Sequence, residues 1–471
     1  MNGETDPGSG DGTDGDFYIN TATNWLFGPK DGNGWGAGVS LVGPEGPPGG
    51  GGDGWSLTGN AGTDPAVNFL GTTDAQALHF RVLNLPSGKI EVNSTASTGF
   101  GYNTLTNPSS QYSEAFGYQV LANATGSYNT AMGYFNLTSA AGSHNTVMGY
   151  DALRFATTGS HNVALGSAAL RSTTSGFSNI AIGRQALWQN TDRGNLVAIG
   201  DSALRNNGVG AQPDNSIEGI YEAHDNVAVG SKALYTNNRG SSNTGIGTGA
   251  LYANGFGSQN TAVGAGALRN TNNLSGNTGI GTFTLYNNVG GNYNTAVGAS
   301  AGGTNSPSNH TAIGYVAGYV AGLSNEIEIG NTSVSWIGGQ QNWSNYSDGR
   351  VKDRVQENVP GLAFIRQLRP VTYHFDLRKE NELVYGDMEI GEWEGKYDLE
   401  KRQMTGFIAQ EVEAAAKSCG YDFSGVRPPE GGAKLYSLTY AEFVVPLVKA
   451  VQEQQAMIER LTRRIAELER R

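Results

Sequence analysis

A short pattern of apolar and polar residues recurs along the middle of the chain, from about residue 101 to 330. Its core is Asn-Thr-Ala-Val-Gly or a variant, and the clearest copies begin at Asn129, Asn145, Asn162, Asn179, Asn226, Asn243, Asn260, Asn277 and Asn294. Successive copies lie 16 or 17 residues apart, except for one interval of 30 residues between Gly200 and Gly230. An Ala-Leu pair, as at Ala152-Leu153, usually follows the glycine. A fixed period of this kind indicates one structural unit per repeat.

The period predicts a mainly β protein with a β-solenoid, or β-roll, shaft over residues 101–330. The apolar residues form short alternating pairs split by Gly, Asn and Ser, whereas a helical repeat would show a 3.6-residue period and few glycines. Each unit is too small to bury its own apolar pair, so the coils must stack and align the asparagines as a ladder. About thirteen intervals of about 4.8 Å give a shaft roughly 60 Å long. Small residues at fixed positions suit a crowded axis, and we infer three chains side by side.

Two further regions precede the shaft. Residues 1–54 are rich in Gly, Asp and Pro, and their four collagen-like triplets at 43–54 suit a three-chain environment. We interpret them as a thin attachment region with short strands, and a flexible linker is the alternative. Residues 55–100 contain two alternating stretches separated by residues 85–88, which predicts a β-hairpin and a small β shoulder.

The composition after the shaft becomes that of a compact domain. Residues 331–346 contain Trp336, Trp343 and Tyr346, and we predict a neck whose aromatic side chains fill the join. Residues 347–471 predict a small α+β domain. Its expected elements are a helix near 360–369, strands near 371–377 and 404–409, an acidic hairpin around 383–399 and a helix near 410–418.

The last part of that domain, about residues 444–471, has a strict heptad pattern. The a and d positions are Val444, Leu447, Val451, Gln454, Ile458, Leu461, Ile465 and Leu468. This pattern predicts a coiled coil, and a helix packed on its own domain is the alternative. Val or Ile at a with Leu at d favours dimers, so the prediction of a trimer depends on the shaft.

Composition and charge exclude several classes of function. The chain has 70 glycines in 471 residues and only 15% charged residues, which is unlike an ordinary globular enzyme. A net charge of −12 argues against nucleic acid as a partner. No apolar run reaches the roughly 20 residues of a membrane helix, and the polar, acidic N-terminus is unlike a signal peptide. We therefore expect synthesis in the cytoplasm without a signal peptide, and no membrane insertion.

Two features of the shaft are candidates for ligand binding. Five residues after the repeat glycines stand Arg154, Arg171, Trp188, Arg205, Tyr235, Tyr252, Arg269 and Tyr286, which would form one stripe on stacked coils. The stripe is either a receptor surface or, as we favour, a stack held by cation–π contacts within the shaft. The long interval, residues 206–225, predicts a projecting loop that contacts a ligand or is inert.

No cofactor motif is present, and we expect neither a cofactor nor a metal site. No Walker loop, zinc motif or nucleotide fingerprint occurs in the sequence. His144 and His161 precede the asparagines of adjacent repeats, and this pair offers too few ligands for a metal, so a polar ladder is expected. The one cysteine, Cys419, excludes an intrachain disulfide and is expected to be a small buried apolar residue.

The candidate catalytic residues lie at the boundary between the shaft and the C-terminal domain. They belong to the segment Ser347-Asp348-Gly349-Arg350-Val351-Lys352. A serine hydroxyl becomes a nucleophile when a neighbour takes its proton, and a lysine can do so only when neutral, in a desolvated site. Five extended residues span about 17 Å, so the chain must turn, as Gly349 allows, for Lys352 to reach Ser347. Ser347 would attack the carbonyl of Tyr346 and water would hydrolyse the ester, which cuts the chain between Tyr346 and Ser347.

A serine and a lysine at this spacing are common by chance, so the pair alone does not indicate catalysis. The residues around the pair make the pattern specific. Asp348 and Arg350 accompany the pair, and the segments 362–368, 369–373 and 406–412 (LAFIRQL, RPVTY and GFIAQEV) follow in order. This set resembles the self-cleaving intramolecular chaperone domain of phage tail-spike endosialidases, the peptidase S74 family. The resemblance implies a domain that drives trimerisation of the preceding fibre and then cleaves itself off through a Ser-Lys dyad. The shaft is similar to the β-roll heads of trimeric autotransporter adhesins.

The sequence thus predicts a homotrimeric tail fibre of a phage or phage-like particle, located in the virion tail. We expect its N-terminus to bind the baseplate or tail and the fibre to bind a glycan or protein receptor on a cell surface. If the dyad is active, the C-terminal domain is a single-turnover serine endopeptidase. The alternatives are a bacterial surface adhesin, a fibre that does not cleave, and a glycan depolymerase, which would need paired carboxylates that the shaft largely lacks.

Overall fold

The computed structural model describes residues 1–42, 59, 61–92, 96–107, 109–212, 222–303, 307–318, 324–340, 343–386, 390–430 and 435–470. The chain forms two compact units, Met1–Thr73 and Asp74–Arg471. The predicted collagen-like triplets at 43–54 lie outside the described residues. Residues 213–221 of the predicted projecting loop lie outside them as well.

The first unit contains a small four-stranded sheet. Its strands are β1 (Asn2–Gly3), β2 (Tyr18–Asn20), β3 (Trp25–Phe27) and β4 (Val39–Ser40), paired in that order. β1 and β2 are parallel, and the other pairs are antiparallel. Short strands were therefore correctly expected in this region.

The second unit begins with a hairpin of β5 (Leu78–Val82) and β6 (Leu85–Ile90). The hairpin was predicted, but its expected turn at residues 85–88 is wrong. The chain instead reverses at Leu83 and Asn84, whose φ angles are +48° and +59°. Two successive left-handed residues form the kind of two-residue turn that matches the twist of hairpin strands. The following strand β7 pairs antiparallel with β6, so the hairpin covers the first edge of the solenoid.

The shaft is a β-solenoid with one short parallel strand per coil. Its strands are β7 (Thr98–Phe100), β8 (Glu114–Tyr118), β9 (Thr130–Tyr134), β10 (Thr146–Tyr150), β11 (Val163–Leu165), β12 (Ile180–Ile182), β13 (Val197–Ile199), β14 (Val227–Val229), β15 (Thr244–Ile246), β16 (Thr261–Val263), β17 (Thr278–Ile280), β18 (Thr295–Val297), β19 (Thr311–Ile313) and β20 (Ile327–Ile329). With the hairpin they form one 16-stranded sheet. The long interval does not interrupt the stack, because Val197 of β13 pairs directly with Val227 of β14.

The predicted asparagine ladder runs inside the shaft and satisfies buried backbone groups. The backbone N of Asn162 donates to Oδ1 of Asn145 at 3.0 Å, and Asn179 repeats this contact with Asn162. The side-chain amide of Asn162 donates to the carbonyl of Gly176 at 3.0 Å. All three asparagines are buried. Each coil is thereby fixed to the next by side chains as well as by the sheet.

The predicted Ala-Leu pairs form the apolar core of the shaft. Ala152 and Leu153 are fully buried, as are their counterparts in the following coils. The leucines adopt a left-handed backbone, for example φ +48° at Leu153 and +50° at Leu170. The sequence did not predict this conformation, which costs an L-residue roughly 1–2 kcal/mol. Full burial of a leucine side chain contributes about 1.5–3 kcal/mol, which offsets that cost.

The C-terminal region is a small α/β fold that ends in a long helix. Its elements are α1 (Leu362–Ile365), β21 (Val371–Tyr373), α2 (Leu377–Tyr385), β22 (Met404–Gly406), α3 (Ala409–Ser418), β23 (Val426–Arg427), β24 (Ser437–Leu438) and α4 (Val444–Glu469). The first and last helices, the two central strands and α3 agree with the expected elements. Phe364, Val412, Phe423 and Phe443 form the centre of its core, and Cys419 packs half-buried against it.

One expectation for this region is wrong. The acidic hairpin around 383–399 is absent from the described residues there, which contain the end of α2 and the start of a 3-10 turn at Asp398–Lys401. Asp376 caps α2 by accepting a hydrogen bond from the backbone N of Lys379 at 2.9 Å. In a single chain the neck residues Trp336 and Trp343 are 76% and 88% exposed, and their packing at the join stays a prediction.

Candidate functional site

Ser347 and Lys352 lie in direct contact. The Nζ atom of Lys352 donates to Oγ of Ser347 at 2.7 Å. A 3-10 turn at Gly349–Val351 brings them together, because the backbone N of Lys352 donates to the carbonyl of Gly349 at 3.2 Å. Gly349 adopts an ordinary 3-10 conformation, so the turn does not use the freedom of a glycine. The pair has the nucleophile–base spacing that serine catalysis requires.

Asp348 and Arg350, the two accompanying residues of the motif, hold this turn. Asp348 caps it by accepting from the backbone N of Arg350 at 2.9 Å, and the two side chains form an ion pair at 2.6 Å. Hydrogen bonds from the Arg350 side chain and backbone hold the pKa of the Asp348 carboxyl below its ordinary value. The same side-chain contact raises the pKa of Arg350. Asp348 therefore stays ionised and positions the turn between Ser347 and Lys352.

The surroundings of the pair are open to solvent in a single chain. Every residue from 343 to 358 is exposed, and Tyr346, on the acyl side of the predicted cut, is fully exposed. A lysine in water is protonated and cannot accept a proton from serine. The chain alone therefore supplies the geometry of a Ser-Lys dyad without the desolvation that would activate it.

The domain beyond the pair is tied to the end of the shaft. Arg427 forms an ion pair with Glu326 at 3.0 Å, and the hydroxyl of Thr332 donates to Oδ1 of Asn381 at 2.7 Å. The rings of Tyr315 and Trp393 meet edge to face at 5.6 Å. Sequence reasoning missed these contacts, because the partners are far apart in the chain and belong to no repeat.

The candidate stripe residues are mostly engaged with one another. Arg205 lies 4.3 Å from the ring centroid of Trp188, and Arg269 lies 4.8 Å from that of Tyr252. The rings of Tyr235 and Tyr252 stack at 5.1 Å. Arg269 also lies 6.0 Å from the ring centroid of Tyr286. Arg154 and Arg171 instead form ion pairs with Asp151, which is outside the stripe. The role of the stripe as a receptor surface or as an internal stack stays a prediction.

The structure also places the histidines. The rings of His144 and His161 stack at 4.8 Å between their centroids, as a ladder on neighbouring coils. A different group of potential metal ligands, His310 with Glu326 and Glu328, lies at the C-terminal end of the shaft. Sequence reasoning missed that group, although a His and two Glu in the last repeats were visible departures from the pattern. None of the helices in the described part of the chain is both long and apolar enough to cross a membrane.

The fold defines a class of protein in which a β-solenoid shaft is joined to a small C-terminal α/β domain. Residues 347–421 match the family model described as the chaperone of endosialidase, in the peptidase S74 family, and the match begins at Ser347. Residues 347–421 are therefore similar to the chaperone domain of endosialidases. No curated protein and no solved structure matched the chain.

Proposed function

We propose that this chain is the subunit of a homotrimeric attachment fibre of a phage or phage-like particle. Its C-terminal domain would align three chains and then cut itself off before Ser347. The observation that carries the proposal is that one chain exposes two long apolar surfaces, one on the shaft and one on α4. Exposed apolar surfaces of this extent mark sites of association.

The first surface is a ladder along the sheet of the shaft. In β7–β19 the second residue is buried in the core, and the first and third residues are more exposed. The third position is apolar in coil after coil and at least 36% exposed at Phe116, Met132, Met148, Ile182, Ile199, Ile246, Ile280, Val297, Ile313 and Ile329. A second copy of the shaft, with the same period, matches such a ladder along its whole length.

The second surface is the heptad seam of α4. Its a and d residues are about half exposed, from 45% at Leu447 to 62% at Val451. Only Pro446 and Ala450 of the helix are buried, and Glu453 accepts a hydrogen bond from the backbone N of Leu362 at 2.8 Å. The start of the helix is thus anchored to its own domain while the seam stays available for a coiled coil.

Association would supply what the dyad lacks. Partner chains that cover residues 343–358 would remove water from Lys352, which favours its neutral form. Oγ of Ser347 would then attack the carbonyl carbon of Tyr346 while its proton passes to Nζ of Lys352. The peptide C–N bond breaks, the amine of Ser347 leaves with the proton from Lys352, and water hydrolyses the ester. Linking the cut to association would make assembly irreversible.

The alignment of chains explains why such a domain is needed. The coils are nearly identical, so two shafts can pair one coil out of register at little energetic cost. The α/β domain occurs once per chain, and the single polar residue of the coiled-coil pattern, Gln454, disfavours a shift by one heptad. We propose that they fix the alignment before the shafts pair. The N-terminal region would bind the particle, and the shaft would reach a cell-surface receptor.

A denaturing gel of the expressed chain tests the cut. The wild type should give two fragments that separate at 346/347, and N-terminal sequencing of the smaller one should begin at Ser347. Ser347→Ala and Lys352→Ala should remain full length, whereas Ser344→Ala, a matched exposed serine, should be cut like the wild type. Equal cleavage of Ser347→Ala and the wild type would refute the dyad.

A further inference from the structure

The last two coils of the shaft break the repeat pattern at two positions that are otherwise regular. The residue before each strand is usually a ladder asparagine, but after Asn294 this position is taken by His310 and then Glu326. His310 still receives the ladder contact, since its backbone N donates to Oδ1 of Asn294 at 2.9 Å. The second strand residue is Gly, Ala or Val and is buried in the preceding coils, whereas in β20 it is Glu328, which pairs with Ala312 of β19. Three potential metal ligands therefore replace ladder and core residues at one end of the stack.

These three side chains converge. One ligand atom from each of His310, Glu326 and Glu328 lies within 4.8 Å of the others, and Nε2 of His310 is 3.8 Å from Oε1 of Glu328. His310 is only 2% exposed, and its buried Nε2 has no hydrogen-bond partner among the described residues. A buried polar atom in this state is costly unless something binds it. The carboxylate of Glu328 is 42% exposed and opens the cluster to solvent.

The position of the imidazole is restricted by the backbone beside it. A Cβ atom on Gly318 would lie 2.7 Å from Cε1 of His310 and 2.8 Å from Cβ of Ala312. The ring therefore packs against a turn that has room only for glycine. This packing keeps Nε2 close to the two carboxylates.

We propose that His310, Glu326 and Glu328 form a binding site for one divalent transition-metal ion of the Zn²⁺ type. A neutral imidazole and two carboxylates are ligands that such ions accept, and a bound ion would satisfy Nε2 of His310. Zinc binds nitrogen and oxygen at about 2.0–2.2 Å, so two ligand atoms of one ion lie at most about 4.4 Å apart. Closing the present 4.8 Å requires a small movement, which the partly exposed Glu328 can make.

The charges around the cluster are compatible with a cation. The cluster contains two carboxylates, and one guanidinium offsets part of their negative charge. Arg427 lies 3.0 Å from Oε1 of Glu326. A carboxylate can bind partners at both of its oxygens, so Arg427 and an ion can share Glu326. The ion would join the last two coils of the shaft beside the contact with the C-terminal domain. All three ligands precede Ser347, so the site does not depend on the proposed cut.

The test uses the full chain, freed of metal with a chelator and then titrated with ZnCl₂ in a calorimeter. Two variants restore the residue types of earlier coils and should therefore fold, His310→Asn and Glu328→Ala. The control is Glu114→Gln, which removes an exposed strand carboxylate at the other end of the shaft. We expect one Zn²⁺ per chain for the wild type and the control, and at least about 10-fold weaker binding in each variant.

A thermal measurement gives an independent readout. Zn²⁺ should raise the unfolding midpoint of the wild type and of Glu114→Gln, and should leave that of His310→Asn unchanged. Ca²⁺ and Mg²⁺, which prefer all-oxygen ligands, should have little effect. The proposal is overturned if the wild type binds no more Zn²⁺ than Glu328→Ala, if His310→Asn binds as the wild type does, or if Ca²⁺ binds more tightly than Zn²⁺.

Discussion

At the scale of single residues, each repeat glycine sets the spacing of the coils. Gly166 has φ +131°, and a Cβ atom there would lie 2.7 Å from the carbonyl oxygen of Gly183 in the next coil. No L-residue fits this combination of backbone angle and contact. The sequence made the glycines visible as the end of each repeat, but the reason for them is a contact between coils, which a single repeat does not contain.

Gly166→Ala should therefore destabilise the shaft by at least about 1–3 kcal/mol, the usual cost of a backbone held in such a region. Chemical denaturation of the purified chain, followed by circular dichroism, measures the change. Gly290→Ala is the matched control, because a Cβ atom there would meet nothing within 4 Å. Equal effects of the two substitutions would contradict this account of the repeat glycine.

Asp348 acts on the cut by positioning its neighbours. Because its folded-state pKa is lowered, its contribution to the turn is present at neutral pH and is lost as the pH falls through that lowered pKa. Asp348→Asn keeps the shape of the side chain but removes its negative charge, which weakens the contact with Arg350. Cleavage should slow by up to about 100-fold, the cost of a small misplacement of reacting groups.

The time course of cleavage on a denaturing gel measures this effect, and native size measurement shows whether the trimer still forms. A positioning role predicts slow cleavage in a normally assembled trimer. Complete loss of assembly in Asp348→Asn would show instead that Asp348 is structural.

At the scale of elements, repetition decided what the sequence could predict. The coils share one pattern, so errors at single positions average out, and the register of strands such as β13 and β14 followed from spacing. Elements that occur once lack this redundancy. Helix α2 was missed because its charged residues suggested an exposed hairpin, although Asp376 is a recognisable helix cap. The turn of the β5–β6 hairpin was misplaced because proline and glycine at 86 and 88 lie inside β6.

The heptad seam of α4 should control assembly without controlling the fold of one chain. Ile458 is 51% exposed in the single chain, so Ile458→Asp disturbs no packed core there. In a coiled coil it would bury unpaired charges, and the trimer should be lost. Light scattering after size-exclusion chromatography measures the mass.

The control for that experiment is Arg463→Asp, which places the same side chain on the opposite face of the same helix. It should leave the mass of the assembly unchanged. A trimer that survives Ile458→Asp would contradict the role of the seam.

At the scale of the whole molecule, the chain combines a shaft without intrinsic register and a domain that occurs once. The contact between Ser347 and Lys352 was predicted from spacing and resemblance, and the structure places the two atoms at 2.7 Å. The exposure of that pair could not be predicted, because burial depends on the folded surroundings, which the spacing of two residues does not show. The cluster at His310 was missed for a related reason, since its ligands come from two coils and become neighbours only when those coils stack.

The most direct measurement compares the full chain with one that ends at Tyr346. Both are expressed and purified, and the mass and thermal transition of each shaft are measured after any cut is complete. The account predicts a uniform trimer with one sharp transition from the full chain, and mixed or misaligned species from the truncated chain. A truncated chain that forms uniform trimers with the same transition would contradict it.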